Sequence, residues 1–533
     1  MPRPRARAGV AARHSRAPRC SACSSAPAAA GSRAERRAKK SLRARAGAVT
    51  HARVYDAVVI GAGFGGLGAA LELARAGAKV ALCEALNYPG GCASTFSRQG
   101  FRFEAGATLF TGFAPGQLFE RWIAREALEV PLDWLDPVVE LRTGDFTLPV
   151  WRDRERVLAQ LEAMPDAPKE GLRRFFALQR AVGDALWPVM DEPERLELAS
   201  LPSLGWHALR SPRYLKVARW VGRPLGAVLE HCGLSRFTPL RALADALCQI
   251  TVQCPAAEAE APFALSAMEY CWRGAAHVRG GVGVLAQALT RAIAAHGGEV
   301  LLANRVKSVE RRAGGGFVVH ARRGSLEARR VVANVLPGVA QRWLGPVAGL
   351  PALDRAVQDG WGAVMRYLVV RGEGPAHHLE LVDDLQAPFI EGNHAFASVS
   401  GEHDVGRAPD GCRTVTVSTH VPLAALRAPH DAKATVDAVQ ARLERTLQRR
   451  APELLEREVR RLTASPRTFE RFTGRPEGAV GGVPRRAGLH NYQGLFPSPV
   501  VDGFWLVGDS VFPGQSTLST ALGGVRVARR IAR

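Results

Sequence analysis

Residues 54–84 restrict the possible folds more than any other part of the chain. A buried-type apolar run, VYDAVVI, leads into Gly61-Ala62-Gly63-Phe64-Gly65-Gly66, then LGAALELARAG, then VALCE. The run predicts a strand, and the spacing of Leu67, Leu71 and Ala74 predicts a helix that Gly77 ends. A second strand then closes on Glu84, so a β–turn–α–β unit is complete in about thirty residues. Each glycine has a distinct task in such a turn. Gly61 permits the tight bend, Gly63 lets backbone approach a pyrophosphate, and Gly66 lets the helix pack on the strand. The helix N-terminus offers unsatisfied N–H groups to phosphate. Glu84 stands 23 residues after Gly61, where a carboxylate accepts hydrogen bonds from ribose hydroxyls and disfavours a 2′-phosphate. A glycine-rich turn alone is a weak signal. Its agreement with strand, helix, second strand and terminal acid is a strong one.

With 533 residues the chain exceeds what a single hydrophobic core usually serves. A hairpin is predicted in VVELRTGDFTLPV, turning at Gly144 and Asp145. Helical segments follow, including RERVLAQLEAM, EGLRRFFALQRAVGDAL and LRALADALCQI. Alternating α/β character returns at His277, and FWLVGD near the end reads as a strand followed by a turn and a helix. No period repeats. The expected fold is α/β: a two-dinucleotide-binding, Rossmann-like domain assembled from residues 54–114, 275–340 and 485–533. An α+β substrate domain, 115–274 and 341–484, is inserted into it.

Beyond Glu84 the chain reads LNYPGGCASTFSRQGFRFEAGAT, placing Gly90-Gly91 before a strand pair and Glu104-Ala-Gly106. Its last segment, FWLVGDSVFPGQSTLSTALGGVRVARRIA, turns at Gly508-Asp509. Together with RGGVGVLAQAL, the strand at Val306 and GRPEGAVGGVP, these stretches resemble the amine oxidase and phytoene desaturase superfamily of flavoproteins. Within it the likeness is to the carotenoid branch. GGCASTFSRQGFRFEAGAT resembles carotenoid 3′,4′-desaturases, GDSVFPGQ is shared with prolycopene isomerases, and retinol saturases carry similar loops. The resemblance reaches both ends and the middle of residues 55–533. It implies FAD held by Gly61, Ala62, Gly63, Gly65, Gly66 and Glu84, with Gly90 and Gly91 against the pyrophosphate. A backbone group near Val306 would meet the adenine, and Asp509 after Gly508 the ribityl chain. The final helix would aim its positive end at the flavin. Glu104 stands where many relatives have Asp and is the sole candidate for a catalytic base, with ion pairing or ribose binding as its other role.

The implied reaction is desaturation of a lipid-soluble polyene by hydride transfer to flavin N5, with quinone or oxygen reoxidising the cofactor. The same cofactor residues would serve cis–trans isomerisation without net redox change. The GGCASTF loop favours desaturation. A third class, a basic flavoprotein binding nucleic acid, is suggested by the net charge of +21. Residues 1–53, however, hold fourteen Lys and Arg against one acid, Glu35, so thirteen of those charges lie there and eight are spread over the other 480 residues. An acid-poor, Arg- and Ser-rich opening with no apolar core is the composition of a disordered transit leader. That composition predicts placement in the chloroplast, with a disordered bacterial extension or a misplaced start codon as the alternative; in a bacterial source the protein would sit at the cytoplasmic membrane. In SPRYLKVARWVGRPL, Arg213, Lys216, Arg219 and Arg223 recur at helical spacing beside Tyr214 and Trp220, bracketed by Pro212 and Pro224. This suits an interfacial helix on anionic lipid. No metal is expected: Cys20 and Cys23 are a lone C-x-x-C, and no histidine pair has ligand spacing. No Ser sits in a G-x-S-x-G elbow.

Overall fold

The computed structural model describes residues 54–192, 195, 201–404, 406–409, 411–427 and 432–533, which fall in one compact unit. The basic leader, with Cys20 and Cys23, lies outside the described residues.

β1 (Val54–Ile60) lies inside a seven-stranded sheet, parallel to β2 (Val80–Cys83) on one side and to Gly324–Ala333 on the other. Glu299–Leu301 extends the sheet beyond β2. Gly324–Ala333 serves two partners along its outer edge. Its first residues pair antiparallel with Phe317–Ala321, and Val331–Ala333 pair parallel with Phe504–Leu506. Segments hundreds of residues apart therefore end side by side at Ile60, Cys83, Leu301, Ala333 and Leu506. Ligands of open α/β sheets bind at such carboxyl edges. Side chains alternate along β1 as a strand buried on both faces requires. Ala57 and Val59 join the core with Leu67 and Leu71 of α1 (Phe64–Arg75), while Val58 and Ile60 pack with Phe317 and Phe504.

The second sheet also has seven strands, in the order Glu458–Ala464, Trp361–Arg371, Cys412–Pro422, His394–Val399, His377–Val382, Val139–Arg142 and Thr147–Val150. All its pairings are antiparallel except that of His377–Val382 with Val139–Arg142. The hairpin turning at Gly144 and Asp145 thus adds its strands to a sheet built mainly from residues 361–464. One face is covered by the helix Ala432–Arg450, whose Leu443 and Leu447 pack with Leu368, Val415 and Val417. The helices between 154 and 268 lie toward the other face. Among the described residues no helix is long and apolar enough to cross a membrane.

The basic segment differs from its sequence reading. The helix is Leu201–Ala218 and runs through Pro212, so Arg213 and Lys216 lie on it but Arg219 and Arg223 lie beyond its end. The cause is Trp220. Its indole is buried in the core, and Trp220 N–H bonds back to the Val217 carbonyl at 2.9 Å, turning the chain. Arg219 then folds over the Trp220 ring, 4.5 Å from its centroid.

The last helix, Thr517–Ala532, crosses α1 backbone to backbone. A Cβ on Gly524 would stand 2.0 Å from the Gly65 carbonyl oxygen, and one on Gly68 2.6 Å from that of Ala521. A Cβ on the neighbouring Gly523 meets nothing nearer than 3.6 Å. Gly524→Val is expected to cost about 3 kcal/mol or more, read as a fall in melting temperature with loss of bound cofactor. Gly523→Ala should stay within about 0.5 kcal/mol of the parent.

Candidate active site

A cavity of about 810 Å3 starts at the carboxyl edge of the first sheet and continues between the helical layer and the second sheet. Its narrow polar end is walled by Gly61, Gly63, Gly65, Glu84, Gly90, Gly91 and Val306. Gly508 and Asp509 line it further on. Most of the residues predicted from sequence thus line one cavity; Ala62 and Gly66 sit in the same turn without lining it, and Glu104 lies away from it.

The polar end is shaped by backbone. Gly61 has φ +92, open to glycine and strained for other residues, and a Cβ on Gly66 would lie 1.9 Å from the Gly61 carbonyl oxygen. The second glycine loop rests on the first: Gly90 N–H donates to the Ala62 carbonyl at 2.8 Å, and a Cβ on Gly91 would sit 3.3 Å from the Gly63 Cα. Glu84 is buried and accepts from Ala62 N–H at 2.7 Å and Leu86 N–H at 2.8 Å. Burial pushes its carboxyl above the usual carboxylate range, opposed by these backbone bonds.

Two residues here escaped the sequence reading. Asn334, just past Gly324–Ala333, puts its carboxamide where Cβ atoms on Gly63, Gly65 and Gly508 would meet it, at 2.6, 3.2 and 2.6 Å. It is held by its own N–H, which donates to the Ile60 carbonyl at 2.8 Å. An Asn directly after a predicted parallel strand was the available signal. Arg475, inside the GRPEGAVGG stretch, pairs with Asp509 at 2.8 Å, and its Nε donates to the Ala479 carbonyl. Burial lowers the affinity of Arg475 for its proton, but the Asp509 carboxylate outweighs this and raises it overall.

Glu104 stands apart from the other predicted residues. It does not line the cavity. It pairs across the hairpin with Thr95, so both side chains leave one face, and both reach the start of the helix Gly283–Ala295. Glu104 Oε1 accepts from Val282 N–H at 3.0 Å, and Thr95 Oγ1 from Gly283 N–H at 2.9 Å. That helix has no side-chain cap of its own, so a carboxylate from another segment supplies one, favourable at the positive end of the helix. Burial raises the Glu104 carboxyl, and Arg407, with Nη1 at 3.9 Å, opposes the rise. Its Oε1 thus faces the helix start and Arg407, and the residue is not among those lining the cavity.

The far arm of the cavity is apolar. Leu186, Trp187 and Met190 face Met365 and Phe396 of the second sheet, with Phe263 and Phe512 nearer the Gly508 end. A glycine-lined polar end holding Glu84, continuing past an Asp–Arg pair into an apolar arm, has the chemistry to take an extended dinucleotide whose second half is a large aromatic ring system. The sequence profile of the flavin containing amine oxidoreductases matches residues 64–532. The chain belongs to that family. It is therefore an FAD-dependent flavoenzyme of oxidoreductase type. Prolycopene isomerase 1 of an Oncidium hybrid cultivar is 28% identical over 526 residues, 91% of this chain and 85% of that protein. A neurosporene-forming phytoene desaturase of Rhodobacter capsulatus is 26% identical over 522 residues, 89% and 93% of the two chains. A solved oxidoreductase of Methanosarcina mazei shares the fold, with TM-score 0.58, 17% identity and coverage of 89% and 99%. In this flavoenzyme Arg475→Met should weaken FAD binding about tenfold or more by leaving Asp509 without its charge partner, measured by flavin fluorescence titration. Glu104→Gln should keep FAD affinity and turnover near the parent while lowering the melting temperature. A collapse of turnover in folded, FAD-loaded Glu104→Gln would restore Glu104 to the chemistry.

Proposed function

We propose that the protein is an FAD-dependent enzyme of carotenoid metabolism that isomerises a polyene about its double bonds. The observation that carries the reading is one continuous cavity joining a dinucleotide slot to a long apolar arm. Gly61, Ala62, Gly63, Gly65, Gly66, Glu84, Gly90, Gly91 and Val306 would hold the adenosine and pyrophosphate, with Gly508 and Asp509 at the ribityl chain. Bound there, FAD supplies a ring able to exchange electron density or a hydride with a polyene lying against it. The chain's own part is to orient that polyene and keep water out, which aromatic and aliphatic walls do without specific hydrogen bonds.

Isomerisation is favoured over desaturation by the acids the cavity lacks. Among its described lining residues the carboxylates are Glu84, engaged by backbone N–H groups, and Asp509, paired with Arg475. None stands in the apolar arm, so no carboxylate there is free to carry away the proton that desaturation releases. The end-to-end likeness to a prolycopene isomerase points the same way. Desaturation remains the second reading, supported by the desaturase that matches over 93% of its length. It would need quinone or oxygen to reoxidise the cofactor.

The substrate's entry also has support. His207, Tyr214 and Val217 of the helix Leu201–Ala218 line the cavity, as do Leu495 and Phe496 from the segment opposite. On the outside, Leu209 is 86% exposed, Leu215 73% and Leu489 70%, close to the exposed Arg213 and Lys216. Exposed leucines among cations suit insertion into the headgroup region of an anionic membrane. A plastid membrane surface is the proposed location, in keeping with the chloroplastic relatives, with the bacterial cytoplasmic membrane as the alternative.

The FAD-loaded protein should be given cis-carotenoids in liposomes and its products weighed. Unchanged mass with shifted absorption and retention is expected. Loss of two hydrogens per turnover would establish desaturation instead, and inertness toward every carotenoid would defeat the reading. Separately, Leu209→Glu with Leu215→Glu should cut co-sedimentation with anionic liposomes at least about fivefold while FAD stays bound. Unaltered sedimentation would remove this helix from the docking surface.

A further inference from the structure

Two arginines sit in the cavity wall near Gly508, Arg475 half-buried and Arg485 buried, and their charges are handled differently. Arg475 is neutralised by Asp509 at 2.8 Å. Arg485 forms no ion pair among the described residues. It is 8% exposed, and its Nη2 donates to the Pro513 carbonyl at 3.2 Å. Its guanidinium lies 5.2 Å from the centre of the Phe263 ring. The segment beside it is shaped to admit it: Gly514 has φ +109, and a Cβ there would stand 2.3 Å from Arg485 Nη2. Its backbone is pinned on both sides, Arg485 N–H donating to Val252 and the Arg485 carbonyl accepting from Glu260 N–H. Burial lowers Arg485 to about 10, and the charged group that opposes this is Asp509, itself already paired with Arg475. Arg485 therefore carries a full positive charge at neutral pH.

A cation held in a largely apolar wall with a single carbonyl partner is costly unless an anion comes to it. The polyene of the proposed reaction is a neutral hydrocarbon and cannot be that anion. The first turn of the helix Thr517–Ala532 adds positive potential to the same wall, since Thr517, Leu518, Ser519 and Thr520 all line the cavity. We infer that Arg485 is the counter-charge for the flavin in its reduced form. Two electrons taken up with one proton leave the ring system with one negative charge, and Arg485, with the helix end, balances it. The inference rests on the flavin reading of the cavity but not on which polyene reaction follows. Arg485 in this role raises the potential of the bound cofactor and keeps its reduced form anionic.

Redox titration of the FAD-loaded protein tests this. The wild type should take up one proton per two electrons, a slope of about 30 mV per pH unit, at acidities where free FAD measured alongside takes up two. Arg485→Met should lower the ratio of reduced to oxidised cofactor about a hundredfold at a given potential, roughly 60 mV for a two-electron couple. Its slope should steepen toward two protons, and Arg485→Lys should stay near the wild type. An Arg485→Met protein with FAD bound and with potential and slope unchanged would overturn the assignment. If that variant does not fold, a wild-type slope no different from that of free FAD overturns it as well. Failure of the wild type to bind FAD would be a failure of the flavin reading, visible beforehand in its absorption spectrum.

Discussion

The site depends on a meeting of backbones. α1 near the start of the described chain and the helix Thr517–Ala532 at its end touch through Gly65, Gly68, Ala521 and Gly524, with no side chain between them. Any Cβ at Gly524 would drive the helices apart. Because they touch, the N-termini of both helices reach the same cavity, so one wall provides N–H groups for the glycine-turn end and positive potential for the far end. Asn334 extends the same logic. It fills the space left by three glycines from two distant segments, and a larger residue there would separate Gly63 and Gly65 from Gly508.

The second glycine loop needs a separate anchor, because Gly90 and Gly91 both have positive φ and contribute no side chains. The anchor is a buried ionic network behind the hairpin that follows. Glu104 and Thr95 grip the start of the helix Gly283–Ala295. Asp404 accepts from His277 Nε2 at 2.6 Å, Gly280 N–H at 2.6 Å and Gly401 N–H at 3.0 Å. Burial would raise the Asp404 carboxyl, but the bond and charge of His277 hold it below the usual range. Buried charges do little for net stability, yet carboxylate oxygens that are hydrogen-bonded, as Glu104 Oε1 and those of Asp404 are, fix geometry. Here they fix the hairpin whose leading loop forms part of the dinucleotide slot.

What could be read from sequence follows from the range of each constraint. The turn at Gly61–Gly66 was legible because its requirements are local: φ at one residue, the absence of a Cβ at others, and a strand and helix on either side. The ends of the chain were legible by resemblance. Asn334 and Arg475 were not, since their positions come from pairings between segments far apart. Asn334 is placed by Ala333 lying beside Ile60, and Arg475 by a carboxylate 34 residues away. Glu104 lies off the cavity for a related reason. Its nearness in sequence to the second glycine loop suggested nearness to the cofactor, but strand alternation turns it the other way. The charged run at 213–223 misled because helical spacing does not reveal where a helix stops. The burial of Trp220 decided that.

The cavity divides its two tasks by medium. The dinucleotide end is built from backbone N–H groups and glycines, so its specificity is steric and directional. The apolar arm offers a substrate few polar handles, and the titratable group on its sheet side is nearly inert. His420 is pushed down to about 3 by burial, with a contribution from His394, so the ring is neutral at any ordinary pH. Gln253 Nε2 lies 3.3 Å from His420 Nε2, and the Trp361 indole meets the imidazole edge-on, fixing the ring rather than freeing it. The sheet side of the arm neither donates nor removes protons readily, and an apolar wall of this kind selects a guest by length and curvature. Which bonds change must then be set by where the chain lies against the cofactor. The lever left to the protein is electrostatic, and it lies at the Gly508 end.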